Sequence, residues 1–276
     1  RQRQMCIRDR YNGDPKKWGA LAHAVKARLL LNTSFRNPSA LSSVISECEA
    51  ALAAGFQPAE LSIFNGVDCD NSWTAFQWSR YYVGASKTLA DIMAERNDPR
   101  LDVYAVDMFG TGIDCAPAGD EEYAKMTESV GFPLWLENGA ATLHLYSLSE
   151  LYFNMAEAKS RLGQDASADL LAAVEASFAD YTAASGESLS MSAADYVASL
   201  GNASLKEIMV QKYISQARDE QVLAYNDLRR CKAQGEEFIK LLNPNNTVGG
   251  QNMWPLRLPY GNSDVAVSYT HLTLPT

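Results

Sequence analysis

Several features that many enzymes and membrane proteins carry are missing from this sequence. No apolar run approaches the roughly 18–20 residues that a bilayer-spanning helix needs. The motifs G-x-S-x-G and H-E-x-x-H are absent, as are a phosphate loop and a dinucleotide fingerprint. Only three histidines occur among 276 residues, so a metal site or a histidine-based triad is poorly supported. We therefore predict no enzyme activity, no metal and no cofactor.

Clustered basic residues are also missing. The formal net charge is -9, and Lys and Arg form no adjacent run longer than a pair such as Arg229 and Arg230. Phosphate binding draws on clustered cations, so nucleic acid is excluded as a partner. Hydrophobic residues at 47% and charged residues at 21% are ordinary for a folded globular protein.

Cysteine is scarce, and its spacing gives no C-x-x-C motif for metal or redox chemistry. Cys48 falls on the apolar side of a predicted helix, which indicates a small core residue. Cys69 and Cys115 lie in irregular segments and either form a disulfide or remain thiols. The sequence leaves both alternatives open.

The two ends do not continue the patterns beside them. "RQRQMCIRDR" and "VSYTHLTLPT" look like translated sequencing-adapter read-through. We expect residues 1–10 and 268–276 to be artefact, which leaves a body of residues 11–267. A genuine basic N-terminus and a C-terminal strand are the alternative. If the ends are artefact, the missing signal sequence is uninformative about location.

Residues 11–55 predict an antiparallel helical hairpin. Asp14 is a typical N-cap, and Pro15 follows at the first helical position, where its missing N–H costs nothing. Asn37 and Pro38 repeat this arrangement before the second helix, and Gly55 ends it. The predicted apolar faces are Trp18, Leu21, Ala22, Val25 and Leu29 in the first helix, and Leu41, Val44, Ile45, Cys48 and Leu52 in the second.

Residues 143–267 predict further helices and a C-terminal segment. One helix ends at Gly163, and Ser204 with Glu207 forms an S-x-x-E capping box for a later one. The apolar faces are Leu148, Leu151, Tyr152, Met155, Ala158 and Leu162, followed by Leu170, Leu171, Val174 and Phe178. Paired helices that bury apolar faces against neighbours are typical of tetratricopeptide-like solenoids. We predict one all-α domain of such hairpins with a long, irregular, loop-rich insertion.

That insertion, residues 56–142, is called the excursion below. Long irregular segments in a compact helical protein are more often functional than accidental. Sugar rings stack on flat aromatic faces while polar side chains bind the hydroxyls. The candidate ligand-binding residues are Trp73, Trp78, Tyr81, Tyr82, Phe109 and Trp135, with Asp70, Asn71 and Arg80 for the hydroxyls. The alternative is that these aromatics pin the excursion onto the helices.

A second polar pattern runs along the helix that starts at Leu148. Glu150, Asn154, Glu157 and Arg161 share a narrow arc because steps of three and four residues return to one side of a helix. Catalytic carboxylates usually also need a cleft and a shifted pKa, which a sequence does not show. We interpret the line as a solvated or inter-helix face and not as an active site.

Five ordered blocks resemble the SusD/RagB family of nutrient-binding lipoproteins, and most of all its SusD-like branch. "NDPRL" at 97–101, "AEA" at 156–158 and "NDLRR" at 226–230 carry most of the resemblance. The blocks are "KWGALAHAVKARLLLNTS", "SRYYVGASKTLADIMAERNDPRLDVY", "LSELYFNMAEAKSRLG", "IMVQKYISQARDEQVLAYNDLRR" and "WPLRLPY". The match runs from about Tyr11 to Asp264, where Asp264 stands in place of a frequent Glu.

The resemblance implies an outward-facing lipoprotein of the cell outer membrane. Such a protein captures oligosaccharides, or in some relatives peptides, and acts as a lid on a SusC-like TonB-dependent transporter. It would touch the membrane only through a lipid anchor, which would lie upstream of Tyr11. Because the family holds its ligand contacts in no fixed motif, no binding residue carries over by position.

Two other functions remain open at this point. A helical-repeat scaffold would bind a protein or peptide partner along a groove of helix faces. An α-helical glycoside hydrolase would need two carboxylates across a cleft.

Overall fold

The computed structural model of the chain describes residues 11–80, 83–108, 110, 112–118, 131–241 and 243. These residues are mostly helical, which confirms the predicted fold class. The helices are α1 (Pro15–Thr33), α2 (Ala40–Ala53), α3 (Ser72–Arg80), α4 (Lys87–Ala94), α5 (Leu101–Tyr104), α6 (Leu148–Arg161), α7 (Ser167–Ser185), α8 (Ala193–Leu200), α9 (Leu205–Gln216) and α10 (Gln221–Ala233). Two strands, β1 (Ala59–Leu61) and β2 (Leu143–Tyr146), and a 3₁₀ helix (Leu134–Leu136) are also present.

The first hairpin begins as predicted and differs at its second helix. Asp14 Oδ1 accepts a hydrogen bond from the Lys16 amide at 2.9 Å and caps α1. Helix α2 starts at Ala40, because the turn after Asn37 uses bonds of the tighter i to i+3 kind, such as Ala40 N to Asn37 O at 3.0 Å. Gly55 ends the hairpin with a φ of 77°, a conformation that glycine adopts without strain.

The apolar face of α2 is confirmed, and that of α1 is only partly correct. Residues buried on α2 include Leu41, Val44 and Cys48. Helix α1 instead buries its alanines and one leucine, namely Ala20, Ala24, Ala27 and Leu31. Leu21 and Val25 of the predicted face are partly buried against the same cluster, whereas Trp18 and Leu29 lie outside the contact. Trp18 is 45% exposed, and Leu29 is exposed as well.

Helix α6 is the centre of the framework and packs against α2, α7 and α9. Leu151, Met155 and Ala158 face the first hairpin, while Phe153 and Ala156 face α7. A helix surrounded in this way is buried on nearly every side. Gly163, at a φ of 70°, lies just beyond its end as predicted.

A short antiparallel sheet closes the excursion. Strand β1 pairs with β2, with Ala59 opposite Tyr146 and Leu61 opposite Leu143. No strand was predicted here, since elements of three and four residues are too short to show an alternating pattern. The pairing brings the two ends of the excursion together beside α6.

The excursion shares a core with the helical framework. Met93, Trp135 and Leu136 of the excursion pack with Tyr181 of α7 and Ile214 of α9. The excursion therefore packs directly on α7 and α9.

The predicted capping box at Ser204 is half formed. Ser204 Oγ accepts a hydrogen bond from the Glu207 amide at 3.2 Å. The Glu207 carboxylate does not reach back to the cap; it accepts a bond from Arg96 Nε at 3.0 Å. Glu207 therefore links α9 to Arg96, which follows α4.

All four cysteines in the described residues are free thiols. Cys48 is fully buried in the first hairpin, as predicted. Cys69 and Cys115 form no disulfide.

Candidate functional site

Helix α3 holds the exposed aromatic residues of the excursion, and its N-terminus is firmly anchored. Asn71 Oδ1 accepts a hydrogen bond from the Trp73 amide at 2.8 Å, which caps the helix. The Asn71 amide N–H donates to Gly139 O at 2.7 Å, and its Nδ2 donates to Ala141 O at 2.8 Å. One buried side chain therefore joins α3 to the segment that leads into β2.

The loop before α3 is folded just as tightly. Asn65 Oδ1 accepts hydrogen bonds from the amides of Val67, Asp68 and Cys69 at 2.9 to 3.1 Å. The loop rests on Gly139, where an added Cβ would lie 2.5 Å from Asp70 Oδ1. Both contacts fix the backbone of the helix, so α3 is in position before any ligand binds.

The inner side of α3 is polar. Thr74 and Gln77 are its buried residues, and Gln77 Oε1 accepts a hydrogen bond from the Val83 amide at 2.8 Å. The large apolar side chains consequently lie on the outside. Trp73 is 37% exposed, Phe76 44% and Trp78 49%.

These three rings do not share one side of the helix. At 3.6 residues per turn, Phe76 lies about 60° around the axis from Trp73, whereas Trp78 lies about 140° away in the other direction. Trp73 and Phe76 therefore form one outer surface, which we call the Trp73–Phe76 face. Trp78 occupies the opposite flank, beyond the buried Gln77.

The remaining predicted site residues fall into different places. Asp70 and Arg80 are exposed at the two ends of α3. Asn71 is 97% buried and fully engaged in capping and anchoring, so it offers no group to a ligand. Tyr81, Tyr82 and Phe109 lie outside the described residues.

Trp135 was predicted to stack on a ligand, and the structure places it in the core instead. It is only 7% exposed. Its ring stacks on Tyr104 with centroids 5.8 Å apart and meets Tyr181 edge-on at 5.3 Å. This residue pins the excursion onto α7, which is the alternative role considered for the aromatics.

Phe76 was missed by the sequence reasoning. The available signal was its spacing of three residues from Trp73, which puts both on one side of any helix. The segment did not show a helical pattern, because its buried positions are the polar Thr74 and Gln77.

Comparison with known proteins agrees with this architecture. The SusD-like family model, described as "Starch-binding associating with outer membrane", matches residues 9–260. This chain belongs to the SusD-like family. A comparison with curated proteins finds no significant match.

Solved structures of the family resemble this SusD-like chain over most of its length. A SusD/RagB family protein from Bacteroides thetaiotaomicron is 28% identical with a TM-score of 0.75, and the alignment covers 94% of this chain and 61% of that one. A SusD homologue from Bacteroides fragilis is 19% identical with a TM-score of 0.71, at 95% and 64% coverage. A chitin-binding protein is 23% identical with a TM-score of 0.69, at 93% and 60% coverage. The SusD-like chain thus spans less than two thirds of the length of these proteins.

The short blocks that indicated the family from sequence form buried ion pairs in this SusD-like chain. In "NDPRL", Arg100 Nη2 donates to Asp98 Oδ2 at 2.6 Å, and neither side chain is exposed. Tyr196 Oη also donates to Asp98 Oδ2, at 2.7 Å, and Arg100 Nη1 donates to Ser177 Oγ at 2.9 Å. The cluster fastens the α4–α5 connection to α7 and α8.

The "AEA" and "NDLRR" blocks meet in a second cluster. Glu157 of α6 accepts hydrogen bonds from Arg230 Nη2 at 2.9 Å, Arg161 Nε at 2.8 Å and Lys212 Nζ at 3.2 Å. Asp227 accepts a further bond from Arg230 Nη2 at 2.7 Å. Burial alone would raise the pKa of Glu157, but the charges of Arg230 and Lys212 outweigh it and hold that pKa well below its usual range.

This geometry decides the interpretation of the polar line on α6. Glu150, Asn154 and Glu157 are each at least 98% buried. Glu150 accepts a hydrogen bond from Arg28 Nε at 2.6 Å, and Asn154 Nδ2 donates to Tyr146 Oη at 3.1 Å. The line is an inter-helix face, which is one of the two predicted alternatives. The other alternative, a solvated face, does not hold for Glu150, Asn154 and Glu157.

A third buried polar cluster surrounds His144 of β2. Asp219 lies 3.2 Å from Nδ1, and Glu60 and Asp180 lie 3.4 and 3.6 Å from Nε2. Burial and Arg218 lower the pKa of His144, but these carboxylates raise it to about 9. The cluster joins β1, β2, α7 and the α9–α10 corner around a space of about 10 Å³, room for one water at most.

None of the helices in the described ranges is long and apolar enough to cross a bilayer. Across the same ranges, no group of three or more His, Cys, Asp or Glu side chains is placed to hold a metal ion.

Proposed function

We propose that this chain binds oligosaccharides at the cell surface through the Trp73–Phe76 face and delivers them to a SusC-like TonB-dependent transporter. The observation that carries the proposal is a pair of exposed rings, Trp73 and Phe76, on a helix fixed by Asn65 and Asn71. The description of the family as starch-binding supports a carbohydrate ligand. The name of the chitin-binding relative points the same way.

The chemistry of α3 suits a sugar. The apolar face of a pyranose ring stacks on a flat aromatic side chain, and the hydroxyls hydrogen-bond to polar groups at the rim. Here Asp70 at one end of α3 can accept hydroxyl hydrogens, and Arg80 at the other end can donate to hydroxyl oxygens. A prepositioned platform of this kind loses little side-chain freedom when it binds.

Binding without catalysis is part of the proposal. Family members of this kind are binding proteins. A glycoside hydrolase would need two carboxylates on either side of the scissile bond. The carboxylates of α6, Glu150 and Glu157, are instead buried against Arg28 and Arg230.

We further propose that the whole protein faces outward on the outer membrane and is held there by a lipid anchor. The family description, which associates the family with the outer membrane, supports this location. The helical framework would dock on the transporter while the excursion presents the ligand surface.

One observation favours a second function, a scaffold that binds a protein or peptide. The outer face of α1 carries Trp18 and Leu29, which are 45% and 60% exposed, and the Trp18 ring meets Tyr11 edge-on at 5.2 Å. Capture of a peptide by this face, with no glycan bound by α3, would favour the scaffold.

The test is a glycan array followed by titration of the best ligand. We expect the double variant Trp73→Ala/Phe76→Ala to bind at least about tenfold more weakly, because each ring contributes stacking on the order of 1 kcal/mol. Trp18→Ala is the matched control, since it removes a ring of similar exposure from α1. Equal affinity in the double variant and the wild type would refute the site.

A further inference from the structure

A positive charge lies on the same side of α3 as the two exposed rings. At 3.6 residues per turn, Arg80 lies about 20° around the axis from Trp73 and about 40° from Phe76. Along the axis it lies about 10 Å beyond Trp73 and about 6 Å beyond Phe76. Arg80 is exposed, like both rings. The Trp73–Phe76 face therefore continues into a guanidinium group at the C-terminal end of the helix.

Arg80 differs from the other arginines in the part of the chain that the structure describes. Most of them lie within ion-pair distance of a carboxylate, namely Arg28, Arg96, Arg100, Arg161, Arg218 and Arg230. The exposed Arg36 and Arg229 lie over the rings of Phe35 and Tyr225, at 5.3 and 5.5 Å from the centroids. Among these described residues, Arg80 has neither a carboxylate nor a ring as its partner, so none of them neutralises its charge.

The chemistry of this ridge suits a sugar that carries a negative charge. A guanidinium is a planar fork of N–H donors that matches the two oxygens of a carboxylate, and such charge-assisted pairs are stronger than hydrogen bonds between neutral groups. A neutral sugar can use the stacking on Trp73 and Phe76 and one N–H of Arg80, but it leaves the charge of Arg80 unused. A uronate unit can use all three.

We propose that the Trp73–Phe76 face binds acidic glycans, with a sugar ring stacked on Trp73 and Phe76 and the carboxylate of a uronate unit paired with Arg80. Arg80 is then the specificity-determining residue of the site. This inference rests on the proposed function, because it concerns the same surface. It narrows the substrate class to oligosaccharides that contain uronic acid units.

The two ends of α3 also give the ligand a direction. Asp70, before the N-terminus of the helix, is exposed and carries a carboxylate, whereas Arg80 carries the opposite charge at the C-terminus. A carboxylate only accepts hydrogen bonds, so Asp70 matches sugar hydroxyls and repels an acidic group. The uronate unit is therefore expected at the Arg80 end, with its uncharged hydroxyls towards Asp70.

The experiment compares hexamers that differ only at C6. The neutral probes are the 1,4-linked hexamers of α-glucose, β-glucose and α-galactose, and each has a partner in which every C6 is a carboxylate. We expect at least one uronate hexamer to bind more tightly than its neutral partner. Arg80→Gln should weaken the binding of that uronate about fivefold at low salt, because it removes one exposed charge pair. The loss should shrink as salt rises from about 0.01 M to about 0.15 M, where the Debye length falls from about 30 to about 8 Å.

Control variants separate the local charge from net charge and from damage to the helix. Arg36→Gln removes an exposed arginine from the turn between α1 and α2, and it should leave the affinity for the uronate unchanged. Arg80→Lys keeps the charge at the end of α3 but not the fork, so it should recover part of the affinity lost in Arg80→Gln. Unchanged affinity of Arg80→Gln for the neutral hexamer would show that α3 is intact. If Arg36→Gln weakens uronate binding as much as Arg80→Gln does, net charge is responsible and the assignment to Arg80 is wrong.

The outcomes also separate this inference from the proposed function. If no uronate hexamer binds more tightly than its neutral partner, or if Arg80→Gln leaves uronate binding unchanged, the inference is overturned. The glycan site itself stands in that case, provided that a neutral glycan binds the wild type and is lost in Trp73→Ala/Phe76→Ala. If a uronate binds and the binding depends on Arg80 but not on Trp73 and Phe76, the acidic ligand is kept and the proposed aromatic site fails.

Discussion

The helical framework and the excursion differ in which side chains they bury and which they expose. The helical framework buries charge, as at Glu157 with Arg230 and Glu150 with Arg28. The excursion exposes aromatic rings on α3, at Trp73 and Phe76, and buries the polar Asn71 and Gln77 beneath them. The residues that make the family recognisable therefore hold the fold together. The two rings that we propose for the ligand, Trp73 and Phe76, lie outside these sequence blocks.

The first way to test this contrast is to break a buried ion cluster. We expect Arg230→Met to lower the free energy of unfolding by about 3–5 kcal/mol, because it leaves Glu157 and Asp227 buried with fewer compensating charges. Urea unfolding measures the loss. The neighbouring, exposed Arg229→Met should cost less than about 0.5 kcal/mol. Similar losses in both variants would show that the cluster does not hold the framework.

The His144 cluster makes stability depend on pH. The pKa of His144 is raised to about 9 in the fold from an ordinary value near 6.5, and the pKa of the buried Glu220 is raised to about 8, chiefly by burial. Both groups hold protons in the fold that the unfolded chain releases, so their stabilisation is lost as pH rises. We expect His144 to contribute on the order of 3 kcal/mol that disappears between about pH 6.5 and 9.

Thermal unfolding across that pH range provides the measurement. His144→Asn should flatten the decline between pH 6.5 and 9, leaving the smaller part that belongs to Glu220. A decline of the same steepness in the variant would contradict the role of His144.

A smaller effect on stability is expected within the excursion, where Gly139 contacts the loop before α3. Gly139→Ala would bring a Cβ to 2.5 Å from Asp70 Oδ1 and 3.0 Å from Gly66 Cα, so the loop before α3 must shift. We expect a loss of about 1–2 kcal/mol in stability and weaker ligand binding, because Asp70 leads directly into α3. Calorimetry measures both quantities.

Gly19→Ala is the control for that change. Gly19 lies within α1, and an added Cβ there meets nothing within 4 Å. Alanine should raise stability by about 0.5–1 kcal/mol and leave binding unchanged. Loss of ligand affinity in this variant would mean that the binding assay reports stability.

Local signals in the sequence were enough for much of the framework. Asp14, Gly163 and Ser204 mark helix ends through capping chemistry that involves only a few neighbouring residues, and the structure places them there. The apolar face of α2 followed from the spacing of Leu41, Val44 and Cys48.

Features that depend on distant partners were not predictable. Helix α1 packs through Ala20, Ala24 and Ala27, which carry too little hydrophobic signal to compete with Trp18 in a pattern. Trp73 and Trp135 both lie in irregular sequence, yet one is exposed and the other is enclosed by Tyr104 and Tyr181. Only the tertiary arrangement separates the two roles.

Hydroxyl-radical footprinting with mass spectrometry tests the central claim most directly, because it reports the exposure of each ring in the unmodified chain. With the oligosaccharide selected from the array at saturation, the account predicts reduced oxidation of Trp73 and Phe76 and unchanged oxidation of Trp18. Protection of Trp18 with no change at Trp73 and Phe76 would contradict it, and would move the binding surface from the excursion to the outer face of α1.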